Sequence, residues 1–494
     1  MPSPPRMQGL RASRRHWSIA AAAWCAVASA APAWGADLLN PCRVAGLRNQ
    51  VQCGVVQRAL DPARPDAARI DIHYVVVPAM ARRKLPDPVF LLAGGPGQSA
   101  IALAPGAMAL FARLNNRRDI VFVDQRGTGR SAPLMCDETR HRPLAEQSDP
   151  EWQFRQLLRC RDQLKALPHG LRFFTTPLAT QDLDAVRQQL GASRINLVGG
   201  SYGTRAALEY ARQFPGSLRR SVLDGLAPPD MALPASMSTD SQAAFDAMLT
   251  ACEAEAACRR AHPSLRTDWA ALLAGLPRTV TVAHPLSGQP ETFAFTREML
   301  LGAVRGSLYA PAIAAALPQA IDDAARGRFE GLAGLGGSLA ARKGSAMAMG
   351  MHFSVVCAED APRMEQATDA PGTDFGGDAA RLYRRVCAAW PQGQVPAAFY
   401  AMPVSDSPVL LLSGGLDPAT PPRHAARVAK ALGPNALHLR VPNAGHGVMG
   451  LGCVRDLIYR FIDAPQPEDA LAVDLACVKT IPRPPAFQPL RLVP

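Results

Sequence analysis

What this chain lacks narrows its chemistry before any motif is read. Beyond Ala33 no stretch is apolar for long enough to cross a bilayer as a helix, so stable membrane insertion is not expected. No Cys-x-x-Cys and no Cys/His cluster at ligand spacing occurs, which removes the basis for a zinc site; neither a metal nor a cofactor is expected. The formal net charge is +12, yet no block of Lys and Arg interleaved with aromatics is present. A solvated basic surface with some attraction to anionic surfaces follows, and nucleic acid is not an expected partner. Gly127-Thr128-Gly129 lacks both the Gly-Lys-Ser/Thr of a phosphate loop and the third glycine of a dinucleotide fingerprint. It is read as a structural and cleft-forming loop.

Acidic residues are missing from the first 36 positions. Arg6, Arg11, Arg14 and Arg15 precede an apolar run from Ser18 to Ala33, and small residues suit cleavage between Ala30 and Ala36. This is the grammar of an export signal, so a periplasmic or secreted protein is expected. Ser13-Arg14-Arg15-His16-Trp17 only loosely resembles a twin-arginine signal, and Ala22-Ala23-Trp24 before Cys25 makes a poor lipoprotein box. Removing residues 1–36 leaves 458 residues and, with four arginines lost, a formal charge of +8. Ten of the 11 cysteines remain: Cys42, Cys53, Cys136, Cys160, Cys252, Cys258, Cys357, Cys387, Cys453 and Cys477. An even count behind an export signal reads as a disulfide set. Sequential pairing is expected, because each pair then closes a short local loop.

What is present alternates. Ala68 to Val77, Val89 to Leu92, Ile120 to Val123, Ile195 to Val198 and Ser221 to Leu223 read as strands, separated by amphipathic stretches such as Trp152 to Ala166 and Thr180 to Leu190. That pattern predicts an α/β fold with a mostly parallel sheet covered by helices. From about Pro228 to Met402 the chain turns rich in Ala and helix formers, with a Gly/Ala/Met-rich stretch from Gly331 to Met351. The expected organisation is a signal at 1–36, a first core segment at 37–227, an inserted helical lid at 228–402 and a second core segment at 403–494.

Candidate chemistry lies at the ends of the strands. Gly199-Gly200-Ser201-Tyr202-Gly203 follows the run Ile195 to Val198 and precedes a helix-like run from Arg205 to Phe214. A strand-to-helix turn with glycines two residues either side lets a serine hydroxyl project, so Ser201 is the candidate nucleophile. Asp417 follows Val409-Leu410-Leu411-Leu412, and His446 lies in a glycine-flanked loop after Leu437 to Val441. Ser, then acid, then His is the order this scaffold requires: Asp417 would orient His446, and His446 would take the Ser201 proton. Asp224, also after a strand, is an alternative acid. The loop Ala93-Gly94-Gly95-Pro96-Gly97 offers small residues beside the same place, so the N–H groups of Gly95 and Tyr202 are the expected oxyanion donors; Pro96 has none to give.

Gly94-Gly95-Pro96-Gly97, Asp124-Gln125-Arg126-Gly127-Thr128-Gly129-Arg130-Ser131, Gly199 to Thr204 and the Asp417 and His446 loops together resemble the prolyl aminopeptidase and tripeptidyl aminopeptidase family of α/β-hydrolases, from about residue 85 to the C-terminus. The resemblance implies an α/β-hydrolase fold with a lid, and an aminopeptidase that removes residues or short peptides from free N-termini through an acyl-enzyme. A carboxylesterase or lipase-like hydrolase is the alternative, since the same machinery cleaves esters and amides. An idle binding protein fits less well because every part of the machinery is present, and hydrolases with a carboxylate nucleophile are excluded by Ser201. Ala93 departs from the family: prolyl aminopeptidases have His there, which favours the tripeptidyl branch or broader specificity. The resemblance further implies that Glu359 and Asp360, within Val355 to Arg363, present carboxylate to the ammonium of a peptide substrate. The residues alone equally allow a solvated helix end with Asp360 paired to Arg363.

Overall fold

The computed structural model describes residues 38–139, 141–167, 170–337 and 346–487, so the expected export signal and Cys25 lie outside the described residues. Its centre is a sheet of nine strands: β1 (Leu39–Cys42), β2 (Val51–Ala59), β3 (Arg69–Val77), β4 (Val89–Leu92), β5 (Ile120–Val123), β6 (Ile195–Gly200), β7 (Leu218–Asp224), β10 (Val409–Gly414) and β11 (Ala436–Val441). A separate antiparallel pair, β8 (Arg278–Ala283) and β9 (Pro290–Phe295), stands apart. The order in the large sheet is β1-β2-β3-β5-β4-β6-β7-β10-β11. The first three strands run antiparallel to their neighbours, and the six from β5 to β11 are mutually parallel. This is the mostly parallel, helix-flanked sheet that the alternation of runs predicts.

Continuous apolar runs form these strands because both faces are covered. Val89, Leu91, Ile120, Phe122, Leu410 and Leu412 point into one core, against Phe111 of the helix Ala100–Asn115 and Leu457 and Phe461 of the helix Val454–Asp463. Their neighbours Phe90, Val121, Val123 and Leu411 point into the other, against Leu183, Tyr202, Leu208 and Val428. Strands β1 and β2 are additions to the expected set. In β2, Gly54 makes room for the Tyr74 ring of β3, which a Cβ at that position would strike.

The stretch expected as one insertion divides in its packing. A third core gathers Phe245, Trp269, Leu300, Val304, Ile321 and Phe329 around the β8–β9 pair, so this part is not purely helical. Residues from Ala348 to Trp390 instead share the sheet's own core: the helix Met349–Glu359 is buried along its length, because its apolar side chains circle it rather than forming one stripe. Five disulfides join Cys42–Cys53, Cys136–Cys160, Cys252–Cys258, Cys357–Cys387 and Cys453–Cys477, the sequential pairing expected. Among the described residues no helix is long and apolar enough to cross a membrane.

Candidate active site

Parallel strands deliver their following loops to one edge of the sheet, and ligands of open α/β sheets bind there. The loops after β4, β5, β6, β7, β10 and β11 carry Gly95, Asp124, Ser201, Gly225, Asp417 and His446 in that order. Ser201 occupies the turn between β6 and the helix Tyr202–Gln213 at φ 55° and ψ −124°, a left-handed backbone that non-glycine residues rarely adopt. Its N–H donates to the Asp224 carbonyl at 2.8 Å. The flanking glycines are required by contact: a Cβ on Gly199 would meet the Gly203 carbonyl, and one on Gly203 would meet the carbonyls of Leu92 and Ala93.

Asp417 and His446 are brought together. His446 Nδ1 lies 2.8 Å from Asp417 Oδ2, which also accepts from Thr420 Oγ1 at 2.9 Å. Asp417 Oδ1 accepts from the N–H groups of Ala419 and Thr420 at 2.8 and 2.9 Å. Burial works against the charged Asp417, but His446 and these donors hold its pKa below the ordinary carboxylate value. Burial likewise opposes a charged His446 ring, yet Asp417 outweighs it and raises that pKa, while Arg305 works against it. The backbone fixes the ring as well: His446 N–H donates to the Tyr309 carbonyl at 2.8 Å, and the Tyr309 ring meets the imidazole edge-on at 4.9 Å between centroids. No hydrogen bond joins Ser201 Oγ to His446 in this structure; in unliganded hydrolases such contacts are often long.

The alternative acid, Asp224, is engaged elsewhere. Its Oδ2 accepts from Val448 N–H at 2.7 Å and Met449 N–H at 2.9 Å, just beyond His446. Its Oδ1 is buried without a partner, and burial pushes its pKa up to about 6. Asp224 therefore braces the turn that follows His446.

Gly95, at φ 112°, opens the loop expected to hold an oxyanion, and no hydrogen bond among the described residues engages its N–H. Tyr202 is the first residue of its helix, where an N–H has no intrahelical acceptor. Two groups that sequence reading did not single out hold the Gly95 loop. The Gly97 carbonyl accepts from Ala348 N–H at 2.9 Å, and the Pro96 carbonyl lies 3.2 Å from His352 Nδ1, whose Nε2 is 2.8 Å from Tyr383 Oη. Burial drives the His352 pKa down to about 4, which keeps the ring neutral, so Nδ1 donates to Pro96 and Nε2 accepts from Tyr383. Asp124 ties in the other side by accepting from Ser99 Oγ, Ile101 N–H and Arg130 N–H. Arg126 is wholly internal, paired with Asp182 at 2.7 and 2.9 Å, so this motif braces the fold.

Glu359 and Asp360 do not face a substrate, which corrects the expectation drawn from the family resemblance. Each is 1% exposed. Asp360 is paired with Arg205, the guanidinium Nη1 lying 2.9 and 3.1 Å from its two oxygens, and not with Arg363. Arg363 instead lies over the Tyr400 ring. Glu359 accepts from Thr176 N–H at 2.6 Å and Thr176 Oγ1 at 2.9 Å, and Thr176 Oγ1 meets Tyr202 Oη. Burial pushes the Glu359 pKa up to about 8 despite the nearby Arg205, and the carboxyl ends a polar chain running through Thr176 to Tyr202 and Gln125. The physical reason is placement: a helix buried on all sides turns the acids at its end toward the core. Among the described residues no three His, Cys, Asp or Glu side chains are grouped so as to hold a metal ion.

A family model described as the alpha/beta hydrolase fold matches residues 87–278, and one described as TAP-like protein matches residues 373–477. The tripeptidyl aminopeptidase of Streptomyces lividans is 29% identical over 232 residues, 44% of this chain and 42% of that protein. The serine protease Hip1 of Mycobacterium tuberculosis is 30% identical over 209 residues, 39% of each chain. The matched stretch thus spans less than half the length of these two relatives. Carboxylesterase B of Mycobacterium tuberculosis is 28% identical over 435 residues, 77% of this chain and 78% of that one. With the parallel sheet, the elbow at Ser201 and the family model in agreement, the chain has the α/β-hydrolase fold, and its residues 373–477 match the TAP-like model.

Proposed function

We propose that this protein is an exported serine hydrolase that cleaves peptides, releasing residues or short peptides from free N-termini. Ser201 is the nucleophile; His446 takes its proton and returns it to the leaving amine; Asp417 holds His446 with the hydrogen on Nδ1. The N–H groups of Gly95 and Tyr202 stabilise the charge that develops on the carbonyl oxygen. The observation that carries this reading is the 2.8 Å Asp417–His446 hydrogen bond on the loops beside the strained Ser201 turn. The names of the tripeptidyl aminopeptidase and Hip1 relatives support peptides as substrates, and five disulfides support an oxidising address, periplasmic or secreted.

The ester reading keeps one specific support, the longer match to carboxylesterase B. Free and N-acetylated peptide amides, run beside short and long acyl esters, separate the two. A preference for the free amine supports the aminopeptidase. Equal rates for free and acetylated peptides reject it, and turnover of esters alone puts the esterase in front. Ser201→Ala should remove nearly all turnover in either case, by about 10⁶ in kcat, with the fold intact; a variant keeping a few per cent would remove Ser201 from the mechanism.

A further inference from the structure

With Glu359 and Asp360 turned inward, the charges acting on His446 are those of Asp417 and Asp224 and one cation, Arg305. Arg305 lies on the helix Arg297–Leu308, and its Nη2 donates to Tyr309 Oη at 2.8 Å while its guanidinium lies 5.2 Å from the centre of the Tyr309 ring. Tyr309 is the residue whose ring meets the His446 imidazole and whose carbonyl accepts its N–H. Arg305 forms no ion pair with any acid among the described residues, unlike the buried Arg205, paired with Asp360, and Arg126, paired with Asp182. Its Nε is buried with no hydrogen-bond partner. The charge is felt on two walls, since it opposes protonation of His446 and favours ionisation of Tyr383, the partner of His352 behind the Gly95 loop. The Nε is shut away from solvent, so an anion would meet the Nη end of this unpaired, half-withdrawn guanidinium, whose planar fork matches a carboxylate.

The position selects which part of a substrate supplies that anion. In acyl transfer the histidine hands its proton to the leaving group, so groups packed on the His446 loop border the leaving portion and not the acyl portion. We infer that Arg305 binds a carboxylate on the leaving portion of the substrate, so that the enzyme favours short peptides ending close to the scissile bond or peptides with an acidic residue directly after it. The inference rests on the serine hydrolase reading and adds the substrate class to it.

The test compares kcat/KM for matched short peptides that differ only after the scissile bond: a free C-terminal acid against its amide, and Glu against Gln as the first leaving residue of a C-terminally amidated peptide. Wild type should prefer a carboxylate in at least one pair by about tenfold or more, the range for a hydrogen bond to a charged group. In Arg305→Gln the ratio within that pair should fall to near one, whatever change is common to both members. Arg305→Lys should keep part of the preference, since charge survives while the fork is lost. Acid-over-amide preference alone identifies the terminal carboxylate as the ligand; Glu-over-Gln alone identifies the side chain. Ratios near one in wild type for both pairs overturn the inference while leaving the peptidase standing, as does a preference that persists in Arg305→Gln. Should peptides not be cleaved at all, the peptidase reading fails separately. Acetyl esters of a hydroxy acid and of its amide then carry the same comparison, with the same ratios deciding.

Discussion

Replacing Asp417 by Asn tests the acid with little disturbance of the loop. The amide oxygen can keep the two bonds that Oδ1 accepts from Ala419 and Thr420 N–H. The amide nitrogen then stands where Oδ2 meets His446 Nδ1 at 2.8 Å, and being a donor it requires Nδ1 to accept. The ring hydrogen is forced onto Nε2, the nitrogen that takes the Ser201 proton in the proposed mechanism. The cost is a wrong tautomer in an intact site, which amounts to about 10⁴ in kcat. At 1.36 kcal/mol per factor of ten that is about 5.4 kcal/mol of barrier. Asp224→Asn is the matched control: its amide oxygen can still accept from Val448 and Met449, and its nitrogen replaces an Oδ1 that has no partner, so kcat should fall less than about tenfold. The assay is steady-state turnover of the best peptide or ester, with circular dichroism to show that both variants fold. The reasoning fails if Asp417→Asn keeps more than a tenth of wild-type turnover, or if Asp224→Asn is the worse of the two.

The same Asp224 carries a pH signature in stability. Its folded pKa is raised from 3.8 to about 6 by burial, so its contribution is fully present below pH 3.8 and is lost as pH rises through about 6; wild type should lose about 2 kcal/mol relative to Asp224→Asn between pH 4 and 7.5. Urea midpoints of both proteins at the two pH values read this, and parallel curves would contradict it. Asp360→Asn leaves Arg205 with only the raised-pKa Glu359, 3.9 Å away, and should destabilise by about 3–5 kcal/mol in urea unfolding at pH 7; a loss under 1 kcal/mol would show that the pair contributes little. Gly203→Ala drives a Cβ into the carbonyls of Leu92 and Ala93, so both stability and turnover should drop, by about 1–3 kcal/mol in the first case; unchanged activity would mean the turn relaxes freely. Replacing Cys357 and Cys387 by Ser opens a loop with a sequence separation of 30, worth about 3.6 kcal/mol by chain entropy, to be read in non-reducing thermal or urea unfolding.

Much of the frame was legible because parallel strands covered on both faces must be apolar throughout. Val89 to Leu92, Ile120 to Val123 and Val409 to Leu412 stand out as short runs with nothing polar in them. The elbow was legible for a related reason: close backbone approach at Gly199 and Gly203 admits no side chain, so the glycine spacing records the geometry. The chain order of Ser201, Asp417 and His446 likewise follows from the order in which strands are laid into the sheet. Strands β1 and β2 were not read because an antiparallel edge is partly solvated, and Val51-Gln52-Cys53-Gly54-Val55-Val56-Gln57 mixes both kinds of residue without a clean period.

The buried charges show why the rest of the site resisted such reading. Local sequence puts Glu359 and Asp360 at a helix end beside a cysteine, where acids are most often solvated. What turns them inward is the Met349–Glu359 helix lying within the sheet's core, together with Arg205, 155 positions away in sequence, arriving from the helix behind Ser201. The same holds for Arg305: nothing in Gly302-Ala303-Val304-Arg305 marks it apart from any helix arginine. It matters only because the His446 loop closes on Tyr309, one turn further along. Charge in this molecule is therefore assigned by tertiary pairing. The pairing leaves Glu359 and Asp360 with partners inside the core and, among the described residues, Arg305 without an acid of its own near His446; on the proposed reading, that asymmetry would make the site select for anionic rather than ammonium groups there.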